Sequence, residues 1–408
     1  LPLVWLAGRR LGNREVAWAA LVLLAVCPFA IRYSTEARMY SLVVVLVLAG
    51  LLALMGVMDH RTMPATVALA ICTAMLLFTH YWSIYLVGAV ASVLGYWSVR
   101  PSEQSAGARR ALLAIVVGSA LFIPWIPTLL FQAAHTGTPW AGAPKLRVLL
   151  DTIIDFAGGY WDPGLGLGLL YLVLLALGLW GRPIDSHRIE LDLRGHAPGS
   201  ILAVVCFLTL AVALALARLT GSAYVIRYTA VILPVALLLA ALGTAAFGSP
   251  KQRYGVIGLA VILGFAASVP NLVGERTTAP RVASALALGA SAGDVVAYCP
   301  DQVGPSVSRR VDGAGLVQVT FPRATGPEFV NWVDYSEVVR RAQSVPFAKM
   351  LLDRAGNNDV WVVWSPGYRS FGLSCEHILR DLRIARPAEE RVVRIGRRTF
   401  ERVGLVRY

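Results

Sequence analysis

The chain has 408 residues, of which 57% are hydrophobic and 15% charged, with a formal net charge of +13. Average soluble domains are about 45–50% apolar and about 25% charged. The composition therefore excludes a disordered chain, a collagen-like fibre, a disulfide scaffold and an ordinary soluble enzyme. The positive balance does not point to nucleic acid, because the basic residues cluster in short loops between apolar runs, where they report membrane topology. Lys145, Lys251 and Lys349 are the only lysines. The excess of arginine, with abundant Ala, Gly and Val, suggests a GC-rich, actinobacterial-type genome.

The run Leu1–Gly8 is apolar but too short to cross a bilayer. It reads as the end of a span whose beginning lies upstream. Nine full spans are expected after it, at 16–31, 40–58, 65–80, 82–99, 111–131, 165–181, 200–218, 228–247 and 254–270. Arg9, Arg10, Arg14, Arg61, Arg100, Arg109, Arg110, Arg182, Arg188, Arg194, Lys251 and Arg253 fall in one set of loops. Arg32, Arg38, Lys145, Arg147, Arg218 and Arg227 fall in the other. The richer set is expected on the cytoplasmic side. Residues 32–39, 80–81, 132–164, 219–228 and everything after about 271 then face outward.

Pro28-Phe-Ala-Ile-Arg-Tyr-Ser-Thr-Glu-Ala-Arg-Met-Tyr-Ser41 lies at an outer boundary between spans. Arg32, Glu36 and Tyr40 follow i, i+4, i+8 spacing and would share one helical face, as would Ser34 and Arg38. Charge at a membrane boundary is costly unless solvated, paired or functional. Tyr33, Tyr40 and the arginines can be read singly as interfacial anchors and snorkelling chains. Together they resemble an anion site, because the arginine fork stays charged and makes two parallel bonds to phosphate. A second pair, Arg227-Tyr228, occurs within Gly221–Thr229 at the same expected level, and Thr79-His80-Tyr81 lies there too. Two such Arg–Tyr pairs from distant parts of the chain either converge on one ligand or are again snorkelling chains.

Pro124-Trp-Ile-Pro127 marks a kink or helix exit. In the long outer loop 132–164, Lys145–Ala157 is amphipathic and reads as a helix lying on the membrane surface. Asp151 and Asp155 share its polar face with Arg147 and are either general bases or simply solvated. Trp140, Tyr160 and Trp161 would stack on a sugar or anchor the loop.

From residue 271 the pattern changes. Short β-type runs at Asp294–Cys299, Leu316–Thr320 and Asp359–Trp364 alternate with helical patterns near 336–355 and 373–386, which predicts a small α/β domain. The expected organisation is a transmembrane domain over 1–270 and an extracytoplasmic domain over 271–408. Of five cysteines, Cys27, Cys72 and Cys206 lie in spans as packing residues, while Cys299 and Cys375 lie in the outer domain and are expected to pair there. The sequence has no Cys/His metal spacing, P-loop, GxGxxG after a strand, or HExxH.

The Arg-Tyr-Ser-x-Glu-Ala-Arg-Met-Tyr-Ser-Leu core within Leu11–Leu54 resembles the GT-C glycosyltransferases, most nearly the bacterial protein O-mannosyltransferase and aminoarabinose transferase group. Thr79-His80-Tyr81, the Pro-Trp-Ile-Pro run and Arg227-Tyr228 with Pro234 beyond it fit the same likeness, which covers roughly 1–270. The resemblance implies a polytopic all-α GT-C-like bundle in the cell membrane. Its activity would be transfer of a sugar, mannose first and arabinose second, from a polyprenyl-phosphate donor to a glycan, lipoglycan or protein acceptor outside. Arg38 and Arg227 would take the donor phosphate, with Arg32, Tyr40, His80, Tyr81 and Tyr228 in support. Glu36 would orient Arg32 or Arg38, or itself hold a reacting group. The family's catalytic base lies in a first outer loop that would precede Leu1. No cofactor is identified, and a divalent cation stays undetermined because its carboxylate ligands would lie in that same loop. The alternatives are a lipid-linked sugar transporter or flippase, and an inactive fragment that presents its outer domain.

Overall fold

The computed structural model describes residues 1–137, 144–220, 224–311, 315–396, 399 and 401–408. The chain divides into two compact units. The first comprises Leu1–Ile126 and Ala143–Leu272, and the second comprises Pro127–Gly142 and Val273–Tyr408. Sequence reading kept 127–142 with the first unit, whereas the structure groups that segment with the second.

The first unit is helical. Its helices are α1 (Pro2–Leu11), α2 (Arg14–Ala25), α3 (Pro28–Ser34), α4 (Tyr40–His60), α5 (Met63–Thr79), α6 (Ser83–Val99) and α7 (Ser105–Ala120). After α8 (Ile126–His135), all but the first residue of which belongs to the second unit, follow α9 (Val148–Phe156), α10 (Asp162–Trp180), α11 (Gly199–Thr220), α12 (Leu233–Thr244) and α13 (Pro250–Val273). A hairpin of β1 (Gly181–Pro183) and β2 (Ile189–Leu191) joins α10 to α11. Among the described residues, five helical stretches are long and apolar enough to cross a membrane: α4, Ser105–His135, α10, α11 and α13. The chain is a multi-pass membrane protein.

The expected nine spans coincide with helices, and two of them, at 16–31 and 228–247, need correction. The span at 16–31 is two helices, α2 and α3, bent by 59°. The break falls at Cys27, and Pro28 starts the second helix, where its missing N–H costs nothing. Helices α5 and α6, expected at 65–80 and 82–99, have 17 residues each, or about 25 Å at 1.5 Å per residue. The span at 228–247 opens as a 3₁₀ turn, Ile226–Val231, and its α-helix α12 has only 12 residues. Helix α12 is buried on every side, from Leu233 to Ala241 without interruption. A helix apolar all round packs inside a bundle, so protein surrounds α12 and spares it the length that lipid would demand.

Helix α12 crosses α10 at glycines. A Cβ on Gly178 would lie 2.1 Å from the Leu239 carbonyl oxygen, and one on Gly243 would lie 2.0 Å from that of Leu174. Small residues allow this backbone approach, on which membrane helix pairs depend for dispersion contact.

The basic loops sort to the two ends of the bundle. At one end Arg10 donates to the Leu52 carbonyl, Arg61 to that of Glu103 and Arg109 to that of Ser98, while Arg253 pairs with Glu15. Arg32, Arg38 and Arg227 lie on the opposite set of connections.

The second unit is α/β. A five-stranded sheet has the order β4-β3-β5-β7-β6, with β3 (Val295–Cys299), β4 (Val317–Thr320), β5 (Val360–Trp364), β6 (Glu390–Val393) and β7 (Gly404–Arg407). Strands β3, β4 and β5 are parallel, and β7 and β6 add antiparallel. Helices α14 (Ala279–Gly289), α15 (Gly304–Ser308), α16 (Tyr335–Arg341), α17 (Ser344–Ala355) and α18 (Ser374–Ala385) complete it. Every residue of β3 is buried, as expected for a strand covered on both faces. Cys299 at the end of β3 forms a disulfide with Cys375 at the start of α18, with Cα atoms 5.6 Å apart.

Candidate functional site

The densest gathering of polar and aromatic groups in the first unit sits where α3 gives way to α4. Helix α3 stops at Ser34, whose hydroxyl donates back to the Ile31 carbonyl, and regular helix resumes only at Tyr40. Arg32, Glu36 and Tyr40 therefore do not share a helical face, and neither do Ser34 and Arg38. The non-helical stretch 35–39 instead brings Glu36 to 3.5 Å from both Arg32 and Arg38. Glu36 is half-buried between two guanidinium groups and positions both. Arg32 also lies over the Tyr33 ring, 5.5 Å from its centroid.

Behind these charges runs a chain of rings. Tyr33 packs on Phe29 and on Tyr40, at 4.5 and 4.8 Å between centroids. Tyr40 meets His80 at 5.7 Å, His80 meets Tyr228 at 5.1 Å, and Trp82 packs on Tyr224 and Tyr228 at 4.9 and 5.9 Å. Tyr40 is 3% exposed and His80 is 7% exposed, so neither is an interfacial anchor. The His80 Nδ1 accepts the Trp82 backbone N–H at 3.1 Å. That bond fixes the ring and places any proton of the neutral imidazole on Nε2.

Arg227, in the 3₁₀ turn ahead of α12, enters this chain from the other side. Its guanidinium lies beside the phenols of Tyr40 and Tyr228, 5.3 Å from the Tyr228 centroid. Its Nε is buried and has no hydrogen-bond partner among the described residues. A buried donor left unpaired is costly, and a bound anion would satisfy it. Arg38 and Arg227 both lie within electrostatic reach of Tyr40. Arg38 is exposed, with half of its side-chain surface open.

Helix α9 adds a carboxylate. Asp151 accepts from Arg147 at 3.0 Å and also from the Tyr160 hydroxyl, and it stays at the surface. Asp155, one turn on, faces Arg32 and Tyr33. Burial pushes its carboxyl up, and the Arg32 guanidinium acts against that shift. The two aspartates therefore do not share one solvated face. Thr152 of the same helix hydrogen-bonds the Tyr224 hydroxyl at 3.1 Å, tying α9 to the aromatic chain.

Tyr81 turns elsewhere: its hydroxyl accepts from Trp125 Nε1 at 3.0 Å, in the turn after α7. Trp161 Nε1 donates to the Gly158 carbonyl, and Tyr160 lies under Arg147. Trp140 and Gly221–Ala223 lie outside the described residues. Among the described residues no three His, Cys, Asp or Glu side chains are placed to hold a metal ion. Beside Tyr33 and Tyr40 opens an apolar cleft of about 310 Å³, walled by Leu24, Phe29, Ile31, Val44 and Leu233.

Sequence reasoning missed Trp82 and Tyr224 and undervalued Tyr33 and Asp155. The available signal was that Tyr224, Arg227 and Tyr228 occur within five residues beside a proline-started span.

No family model matches the sequence, and no curated protein does. Two crystal structures of ArnT from Cupriavidus metallidurans share the fold. One is in the apo state, with a TM-score of 0.57, and the other is bound to undecaprenyl phosphate, with a TM-score of 0.54. Each is 13% identical to this chain, and the match covers 100% of this chain and 81% of theirs. The chain has a GT-C-type fold, a helical membrane bundle with a small α/β domain.

Proposed function

We propose that the protein is a membrane glycosyltransferase that takes its sugar from a polyprenyl-phosphate donor and passes it to an acceptor outside the cytoplasmic membrane. The observation that carries this reading is the half-buried Arg227, whose Nε has no partner among the described residues and which shares the electrostatic neighbourhood of Tyr40 with Arg38. Two fixed guanidinium groups in a ring-lined site suit a phosphate, since each fork offers parallel N–H donors and cannot lose its charge. The apolar cleft beside Tyr33 and Tyr40 suits the first isoprene units of the lipid. The undecaprenyl phosphate bound by the ArnT structure of the same fold supports that choice of ligand.

In the reaction the bond between the sugar's anomeric carbon and the phosphate oxygen breaks, a bond from the acceptor oxygen forms, and the acceptor hydroxyl gives its proton to a general base. The polyprenyl phosphate leaves with a second negative charge. Arg38 and Arg227 stabilise that developing charge, and groups already oriented for it need no reorganisation as the bond breaks. Tyr40, Tyr228 and His80 hold Arg227 in place, and Glu36 holds Arg32 and Arg38. Asp155 is the carboxylate within this cluster that no arginine fork encloses on both sides. Mannose, then arabinose, is the proposed sugar, and a glycan, lipoglycan or protein is the proposed acceptor.

The second unit is proposed to lie outside the cell. The richer set of basic loops at one end of the bundle and the Cys299–Cys375 disulfide support that placement.

The test is binding of undecaprenyl phosphate to the detergent-purified chain. Wild type is expected to bind, Arg227→Ala to weaken binding by at least ~10-fold, and Arg38→Ala to weaken it less because that side chain is solvated. Equal affinity in wild type and Arg227→Ala would refute the phosphate role.

A further inference from the structure

The second unit holds a cavity of about 550 Å³ between α18 and the β7-β6 edge of its sheet. The volume falls in the ~300–1,000 Å³ range of small-ligand sites. Its floor is Trp364, Val406 and Tyr408, and its walls carry Arg380, Arg383, Arg391 and Arg394.

The placement follows from two periodicities. On α18, residues 376, 380 and 383 are spaced i, i+4, i+7, which puts Glu376, Arg380 and Arg383 on one stripe. On β6, Arg391 pairs with Val406 of β7 and so shares the face that the helix covers. A register shift between Arg391 and Val393 then turns the strand, and Arg394 follows at its end.

The charges do not cancel. Glu389 takes one bond from Arg391 at 3.0 Å and lies 3.6 Å from Arg383. Arg380 directs two N–H groups to Asp381. Arg394 has no ion-pair partner among the described residues, and the outer N–H groups of Arg391 have none either. Each guanidinium carries five donors, so the walls hold many more donors than Glu376 and Glu389 can accept. The floor is aromatic: Trp364 is only half-buried, which leaves ring surface facing the cavity. Excess guanidinium above an open indole is the pairing that grips an anionic group while a flat, apolar ring face stacks below.

We propose that this cavity is a binding site for an anionic saccharide, a sugar unit that bears a carboxylate or a phosphate. The carboxylate or phosphate is held by Arg391, Arg394 and Arg383, and the sugar ring lies on Trp364. The site is separate from the arginine–tyrosine cluster of the first unit, and its existence does not depend on the transfer reaction proposed there.

Calorimetric titration of the full chain in detergent tests it. Three probes are used: a glucuronate-containing disaccharide, the neutral disaccharide maltose, and vesicles of phosphatidylglycerol. The expected result is binding of the charged disaccharide that weakens with added salt, and no heat with maltose. Arg391→Ala with Arg394→Ala should weaken it by at least ~10-fold, and Trp364→Phe should weaken it less. Circular dichroism and melting of the variants check that the unit still folds. Because Arg394 forms no ion pair among the described residues, Arg394→Ala alone should melt as wild type does and still weaken binding. Three results would overturn the proposal: maltose binding as well as the charged sugar, unchanged affinity in the arginine variants, and no binding of the charged sugar. Binding to the vesicles alone would also overturn it, in favour of a lipid headgroup. Undecaprenyl phosphate binding, measured in parallel, reports on the first unit separately.

Discussion

His80 is the single polar side chain on which the aromatic chain turns. Its Nδ1 accepts the Trp82 N–H, and its ring separates Tyr40 from Tyr228. His80→Phe keeps the ring but leaves the Trp82 donor unpaired in a buried place, at a cost of about 1–3 kcal/mol. His80→Asn retains an acceptor and should cost less. Thermal unfolding in detergent should rank the three proteins wild type, Asn, Phe. Asp301, in the second unit, predicts a pH effect. It is 4% exposed, and burial pushes its carboxyl up to about 6 from an ordinary 3.8, against a hydrogen bond from Tyr335. The folded unit thus holds this proton more tightly than the unfolded chain does. The stabilisation is fully present below the unfolded value and is lost as pH rises through about 6. Melting of Asp301→Asn should therefore change less than wild type between about pH 4 and pH 7. At this scale the sequence disclosed charges better than rings. Arginines at span ends are conspicuous because charge is costly there. A tyrosine or tryptophan at the same depth looks alike whether it anchors to lipid or lines a site, so Tyr33, Trp82 and Tyr224 were not separable. Asp155 was misjudged because residues four apart on a helix still differ by about 40° in direction, enough to turn one inward.

Among the elements, the expected face shared by Arg32, Glu36 and Tyr40 failed while the Arg32–Glu36 contact survived. The reason is local: Ser34 and Thr35 return their hydroxyls to the carbonyls of Ile31 and Arg32, a competition that ends short helices. Hydropathy located nine apolar stretches but overstated the one at 228–247, because it cannot tell a helix in lipid from one wrapped in protein. Helix α12 is the clear case. Its crossing with α10 leaves no room for a methyl group at Gly178 or Gly243. Gly243→Ala should force the two backbones apart and destabilise the bundle by about 1–3 kcal/mol, read as a lower unfolding temperature. Gly255→Ala, where an added Cβ meets nothing within 4 Å, should leave it unchanged and serves as the control.

For the whole molecule, the change from apolar spans to alternating short strands and helices announced the second unit, and the three parallel strands fall within a residue of their expected positions. The antiparallel strands β6 and β7 were not anticipated. Glu390-Arg391 opens β6 with charge, and the register shift after Arg391 spoils the alternation that marks a strand. Cys299 and Cys375 close a loop with a sequence separation of 76. Replacing both by serine should cost about 2–4 kcal/mol and lower the melting temperature of the second unit, with the first unit's transition unmoved.

Helix α5 carries a further consequence. Val67, Ile71, Met75 and Phe78 on it are about half exposed, so this flank meets acyl chains directly. Yet its 17 residues reach only about 25 Å, short of a typical core near 30 Å. Lipids along that flank must thin, or the helix ends must be drawn into the hydrocarbon, and each ångström of mismatch carries a small cost. Reconstituted in phosphatidylcholines of increasing tail length, the protein should be most heat-resistant in the shorter-tailed, thinner bilayers and lose resistance steadily as the tails lengthen. The thin flank ends at Thr79, immediately before His80, so compression of the bilayer is felt beside the cluster that holds Arg227.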